Sequence, residues 1–150
     1  MRPLSAKQAA EWCRTQRIAI DERGVPTTDG LKRFRLPADA SGRSSLVELQ
    51  LAAFASGNRT LVWITDWGVW PSVDLHDRFI QLRATAGEHR DLHEVPAQLV
   101  DRYEFEYLRE IVSCAVASLW NVHVVGSGGK RRLFYSHDEW GAAKGVKVGE

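Results

Sequence analysis

A short stretch with apolar side chains on both faces constrains the fold of this chain more than any other feature. In residues 59–66, Leu61 and Trp63 alternate with Val62 and Ile64, so a strand formed here presents apolar groups on both sides. Strands that are covered on both faces have such continuous apolar runs. The pattern therefore predicts a strand in the centre of a sheet, with other parts of the chain packed on each face.

The rest of the chain alternates between helical and strand-like patterns. The predicted elements are a helix from Ser5 to about Gln16, a hairpin of residues 18–20 and 31–36, a helix opened by Ser45 and stopped at Gly57, a helix over residues 73–86, a long helix from about Pro96 or Asp101 to Leu119, a hairpin of residues 122–125 and 131–135, and a short terminal helix opened by Ser136. The element order is α-β-β-α-β-α-α-β-β-α. It indicates one α+β domain over residues 1–150, a single-domain sandwich of helices on one mainly antiparallel sheet, with residues 145–150 as a frayed tail.

Charge and cysteine usage limit the partners and the compartment. Twenty basic and nineteen acidic residues leave a formal charge of +1, so there is no global field for nucleic acid, and we do not expect a nucleic-acid partner. The sequence has no apolar run long enough to cross a membrane and no signal-peptide core, so we expect no membrane partner. Cys13 and Cys114 lie far apart without a CxxC motif, which favours buried thiols in a reducing cytoplasm.

Tryptophan is concentrated after the central strand. The run LVWITDWGVWPS, residues 61–72, holds three of the six tryptophans around one acid. Because the strand must break near Pro71, it delivers Asp66, Trp67 and Trp70 to an edge of the sheet, where sites are commonly built. We predict a binding surface of Asp66, Trp67, Trp70 and Pro71. The alternative is that the rings cap the core and that Asp66 caps a turn.

Two short runs contain residue types that bind metals. His89 and His93 are four residues apart, as a zinc pair on one helical face would be, but Gly87 and Pro96 indicate an irregular loop. The consecutive residues 137–139, HDE, point in different directions from a helix start. Ser136 and Glu139 are better explained as a capping pair. We therefore predict no metal and no cofactor.

A glycine-rich connection precedes a basic run in residues 126–132. The GSGGK sequence lacks the strand-to-helix context of a phosphate-binding loop, because a strand follows it. The next residues, Arg131 and Arg132, extend the run at a hairpin edge. Cations there either contact phosphates or discourage aggregation of the edge, and we favour the second reading.

Two stretches are similar to segments of small bacterial proteins of unknown function. They are VWITDWGVWPS, at residues 62–72, and LFYSHDEW, at residues 133–140. The resemblance implies a compact bacterial cytosolic domain and carries over no catalytic residue. Toxin-neutralising immunity proteins share this size and mixed build, which is a likeness of architecture alone.

These observations favour a protein that binds another macromolecule without catalysis, in the manner of an immunity protein or an adaptor. The expected partner is another protein, and homodimerisation through the aromatic edge is compatible with this function. The alternative is a small hydrolase or nuclease, with or without a divalent metal. It would use His123 or His137 with Asp66 or Asp138 as acid and base. We expect His123 at the surface, with Tyr135 across the hairpin.

Overall fold

The computed structural model describes residues 1–67 and 73–148 of the chain. Within these residues the chain forms seven strands and four helices, joined in places by short 3₁₀ turns. In chain order they are β1 (Arg2–Leu4), α1 (Ala6–Thr15), β2 (Lys32–Arg35), α2 (Ala40–Leu51), β3 (Arg59–Asp66), α3 (Val73–Thr85), β4 (Ala97–Asp101), α4 (Phe105–Ala117), β5 (Asn121–Gly126), β6 (Arg132–Tyr135) and β7 (Trp140–Lys144).

The strands form a single sheet in the order β1-β4-β3-β5-β6-β7-β2, and every neighbouring pair is antiparallel. β3 is an interior strand, paired with β4 on one side and β5 on the other. The hairpin expected from residues 122–125 and 131–135 is present as β5 and β6. The predicted fold class, an α+β sandwich of helices on an antiparallel sheet, is therefore confirmed.

Helices cover both faces of the sheet, which explains the two-faced apolar pattern of β3. Val62 and Ile64 point into a large core that also includes buried residues of α2, α3 and α4. Leu61 and Trp63 point to the opposite face, where they pack in a second core with residues of α1. Each of these four side chains is at most 2% exposed. The burial of both faces makes β3 the strand around which the sheet is built.

The C-terminal segment is a strand, so the predicted terminal helix opened by Ser136 is wrong. The Ser136 hydroxyl accepts a hydrogen bond from the backbone N–H of Asp138 at 3.1 Å, as a capping serine would. However, Glu139 has a φ of 65°, and Ser136 N–H donates to the carbonyl of Trp140. These contacts close a tight turn, and the chain returns along β6 as β7.

The long helix begins later than predicted. Residues 97–101 form β4, which lies between β1 and β3, and α4 starts only at Phe105. The side chain of Asp101 accepts the backbone N–H of Tyr103, and Glu104 bonds back to the N–H of Asp101. This reciprocal cap marks where the strand ends and the helical turn begins.

The N-terminal third also differs in its pairing. β2 pairs with β7 and not with residues 18–20, so the first predicted hairpin is wrong. Ile20 instead forms a single bridge with Pro26. α2 starts at Ala40, capped by Asp39, five residues before the predicted start at Ser45. In the described part of the chain, no helix has both the length and the apolar character needed to span a membrane.

Candidate functional site

The ends of β3, β5 and β6 meet at one end of the sheet. The register between β3 and β5 shifts between Ile64 and Asp66, and Asp66 then lies opposite Asn121, the first residue of β5. Bulges of this kind re-aim side chains at the ends of strands. The shift leaves the Asp66 side chain 42% exposed at the end of the sheet. The residues Asp66, Trp67, His93, Asn121 and His137 are called the sheet-end cluster below.

His137 is held in the sheet-end cluster by Asn121. The backbone N–H of His137 donates to Asn121 Oδ1 at 2.7 Å, and His137 Nδ1 lies 2.8 Å from the same oxygen. Asp66 Oδ2 lies 3.8 Å from His137 Nδ1. The side-chain oxygens of Asn121 and Asp66 therefore both face Nδ1 of the imidazole, although these residues precede His137 in the sequence by 16 and 71 positions.

The bond to Asn121 assigns a proton to Nδ1 of His137. A backbone N–H can only donate, so the atom of Asn121 that faces it is oxygen. His137 Nδ1 then carries the proton in the second bond to that oxygen. Nε2 lies 3.3 Å from Asp138 Oδ1, and the His137 side chain is 28% exposed. The second nitrogen therefore faces a carboxylate oxygen on the partly exposed side of the ring.

Trp67 follows Asp66 and packs in a different direction. It is half-buried against the large core, and its ring contacts the His93 ring edge to face at a centroid distance of 4.8 Å. His93 itself is exposed. The pair presents an aromatic surface that packs on the core on one side and is partly open to solvent on the other.

The loop between α3 and β4 positions His93. Buried Glu88 accepts two hydrogen bonds from the guanidinium of Arg90 and one from its backbone N–H. The side-chain bond lowers the pKa of Glu88, so its carboxylate stays charged. Asp91 Oδ1 accepts the backbone N–H of His93 at 2.7 Å, and Leu92 is buried beside it. These contacts hold the loop so that His93 meets Trp67.

The structure separates Trp63 from Trp67 in the LVWITDWGVWPS run. Trp63 is 2% exposed and belongs to the second core, under α1, so its role is structural. Trp67 is partly buried at the end of the sheet. The predicted contacts Trp70 and Pro71 lie outside the described residues.

His123 lies in the core, so the expectation that it is a surface residue is wrong. It is 3% exposed, and it packs on Phe134 with a centroid distance of 4.6 Å. Burial, and secondarily Arg132, lowers the pKa of His123 to about 3. In β6 the neighbouring Tyr135 points to the opposite face, where its hydroxyl donates to Gln50 at 2.7 Å. His123 and Tyr135 therefore form no acid–base pair.

The histidines of the loop after α3 do not assemble a metal site within the described residues. His89 and His93 are both exposed, and the His93 ring contacts Trp67 edge to face. Across residues 1–67 and 73–148, no group of three or more His, Cys, Asp or Glu side chains is placed to hold a metal ion.

A cleft of about 410 Å³ lies away from the sheet-end cluster, between α2, α3 and α4. Arg109, on its wall, is paired with Glu48 at 2.6 Å and with Glu106 at 2.8 Å. Cys114 lines the cleft, but its thiol donates to the carbonyl of Leu75 and burial raises its pKa. Thiolates, not thiols, are nucleophilic. Two carboxylates of the cleft, Glu48 and Glu106, are thus engaged by Arg109, and the Cys114 thiol is held in its protonated form.

Sequence reasoning missed Asn121 and did not connect His93 with the tryptophans. Asn121 is a polar residue between buried Trp120 and the apolar run of β5. A polar side chain at the first position of an apolar strand could have indicated that Asn121 belongs to a site at the end of the sheet. His93 gave no comparable signal, because its contact with Trp67 depends on how a loop folds back.

Comparisons with protein-family models, with curated proteins and with solved structures found no match for this chain. The function must therefore be argued from the residues of the site.

Proposed function

We propose that this protein binds another protein through the end of its sheet, with Asp66 and Trp67 at the centre of the contact. Trp70 and Pro71, which follow them in the sequence, belong to the same proposed surface. We further propose that it acts as an immunity- or adaptor-like protein in the reducing cytoplasm, which suits two buried free cysteines.

The observation that carries the proposal is the Trp67–His93 pair. Tryptophan is enriched at the energetic centres of interfaces, where one ring supplies a large apolar area and a polar edge. Trp67 is half-buried against the core, so its ring is already ordered before a partner arrives. An ordered ring loses less conformational freedom on binding than a mobile one.

The polar groups at the same end of the sheet suit the rim of an interface. Asp66 is partly exposed, and His137 lies within 3.8 Å of it. Polar groups around an aromatic anchor fix the register of a partner and contribute specificity more than affinity. A partner that carries a cation near an apolar pocket for an indole ring would fit this surface.

The test is capture of partners from native lysate with tagged proteins. The wild type is compared with the Asp66→Lys/His93→Ala variant, which alters two exposed side chains without opening the core. Tyr103→Ala is the matched control, because Tyr103 is an aromatic residue that is 82% exposed at a different place. We expect wild type and control to retain the same protein in stoichiometric amount, and the sheet-end variant to lose it. Equal retention by all three proteins would remove the proposed surface.

A second candidate function rests on the geometry of His137. Its Nδ1 proton is directed to Asn121, and the carboxylates of Asp66 and Asp138 lie near Nδ1 and Nε2, so an imidazole and two acids meet at a partly exposed site. This favours the hydrolase alternative. We would measure release of nitrophenol from p-nitrophenyl acetate, and cleavage of a fluorogenic RNA, by wild type and by His137→Gln. Activity that follows a histidine titration and is lost in the variant supports an enzyme, and equal background rates contradict it.

A further inference from the structure

The sheet ends in a strand with a cationic free edge. β2 is the last strand in the order, and the described residues place no strand on its outer side. Three of its four side chains, Lys32, Arg33 and Arg35, are exposed cations. None of the three forms an ion pair with any residue that the structure describes. We refer to this feature as the β2 edge.

The hydrogen-bond pattern shows which backbone groups of β2 face outward. The N–H of Leu36 donates to the carbonyl of Glu139, so Leu36 bonds toward β7. In an antiparallel pair, residues bond to the partner strand alternately. Phe34 therefore also bonds toward β7, and the N–H and C=O groups of Arg33 and Arg35 point away from the sheet. The β2 edge offers two donors and two acceptors in line.

The opposite edge of the sheet does not offer such a row. β1 has three residues, and the middle one is Pro3, which has no N–H to donate. The residue before β1, Met1, is tied through its amino group to Glu104. The β1 edge therefore lacks a continuous row of backbone donors, whereas the β2 edge has outward-facing donors and acceptors.

Charge and geometry together select the occupant of the β2 edge. A second copy of this strand would place cations opposite cations, which is destabilising. The phosphates of a nucleic acid would use the cations but could not pair with the outward carbonyl groups, because phosphate only accepts hydrogen bonds. Trp140 on the adjacent strand also offers no free upper face to a base, because the Arg33 guanidinium lies 3.8 Å from its ring centroid. An acidic strand satisfies the cations and the backbone groups together.

We propose that the β2 edge binds an extended acidic segment of another protein, which adds as a further strand beyond β2. Acidic side chains at alternate positions of the segment pair with Arg33 and Arg35 on one face of the sheet, while its backbone bonds with theirs. This surface is separate from the sheet-end cluster, and the proposal does not depend on the function proposed for that cluster.

The binding test uses a fluorescein-labelled peptide, acetyl-Thr-Glu-Val-Glu-Val-Glu-Thr-amide, and fluorescence anisotropy. We expect Arg33→Glu/Arg35→Glu to weaken binding by about tenfold or more, since two charge-assisted contacts become repulsive. The matched control is Lys7→Glu/Arg59→Glu, which changes the net charge equally at two exposed positions elsewhere. A peptide with lysine in place of glutamate should bind the Arg33→Glu/Arg35→Glu variant better than the wild type. Equal weakening in both variants would overturn the proposal.

A backbone test distinguishes strand addition from simple attraction of charges. Methylation of the peptide nitrogens that face β2 should abolish binding without changing the charge of the peptide. Hydrogen exchange of the Arg33 and Arg35 amides should slow when the unmodified peptide is bound. Unchanged exchange, or displacement of the peptide by an oligothymidylate that binds more tightly, would overturn the proposal. The edge variants change no residue of the sheet-end cluster, so failure here is distinguishable from failure of the proposed function.

Discussion

Replacing His123 by phenylalanine is expected to make the stability of the protein less sensitive to acid. His123 is buried against Phe134, and desolvation lowers its pKa to about 3 in the folded protein. In the unfolded chain the imidazole has its ordinary pKa of about 6.5. Below pH 6.5 the unfolded chain therefore binds a proton that the folded protein does not. The contribution of neutral, buried His123 to the free energy of unfolding is fully present above pH 6.5 and is lost progressively as the pH falls toward 3.

The magnitude follows from the difference between the two pKa values. Each pH unit inside this window costs about 1.4 kcal/mol, so lowering the pH from above 6.5 to 5 costs about 2 kcal/mol through His123. The other titrating groups are present in both proteins and cancel in the comparison. His123→Phe should therefore lose about 2 kcal/mol less than the wild type over the same interval.

Urea unfolding, followed by tryptophan fluorescence at pH 7.5, 6.5 and 5, measures this difference. The stability of the variant at pH 7.5 is not the test, because the ring exchange changes packing as well. The test is the change of unfolding free energy with pH in each protein. Equal losses in wild type and variant would show that His123 is accessible to solvent protons, and would return it to the candidates for acid–base chemistry.

Three further predictions follow from packing. Gly141→Ala should lower the free energy of unfolding by about 1–3 kcal/mol in a urea titration, because the added Cβ would lie 2.8 Å from a carbonyl oxygen of β6. Trp63→Ala should lower the free energy of unfolding by about 3–5 kcal/mol, and Trp67→Ala should lower it by less, since the first ring is fully buried and the second only partly. Equal losses for the two variants would contradict this assignment. Burial raises the pKa of both thiols, that of Cys13 to about 11. Cys13 and Cys114 should therefore resist an aromatic disulfide reagent at pH 8 until the protein unfolds.

Local sequence patterns predicted an element correctly where the pattern was typical of only one kind of secondary structure. The apolar run of residues 59–66 could only be a covered strand, and it is β3. The serine cap and helical spacing after Ser5 predicted α1, whose cap includes the reciprocal bonds of Ser5 and Gln8. In these cases the local signal and the tertiary packing favour the same conformation.

The errors arose where tertiary pairing overrode an ambiguous local signal. Ser136 and Glu139 have the spacing of a capping box. The segment after them instead turns back and pairs with β6 as β7. Ala97 begins β4 in a region that also continues the spacing of the long helix, and its strand fills the gap between β1 and β3. Helix propensity is a weak preference, and the hydrogen bonds and packing that a segment gains by pairing with the sheet override it.

The sequence located one part of the candidate site and could not assemble the rest. It placed Asp66 and Trp67 at the end of a strand from the local break in the apolar pattern. The approach of His137 and Asn121 to Asp66 depends on strand order and on the register shift in β3, which are properties of distant pairing. The contact of His93 with Trp67 depends on a folded loop.

The most direct test of the central claim is the affinity of the captured partner for the Trp67→Ala variant, measured by isothermal titration calorimetry. Both proteins should be used at a temperature where circular dichroism shows them to be fully folded. If Trp67 is the anchor of the interface, truncation should cost 2 kcal/mol or more, which weakens binding by about 30-fold or more. An affinity within about twofold of wild type, which is a difference below 0.5 kcal/mol, would contradict the claim.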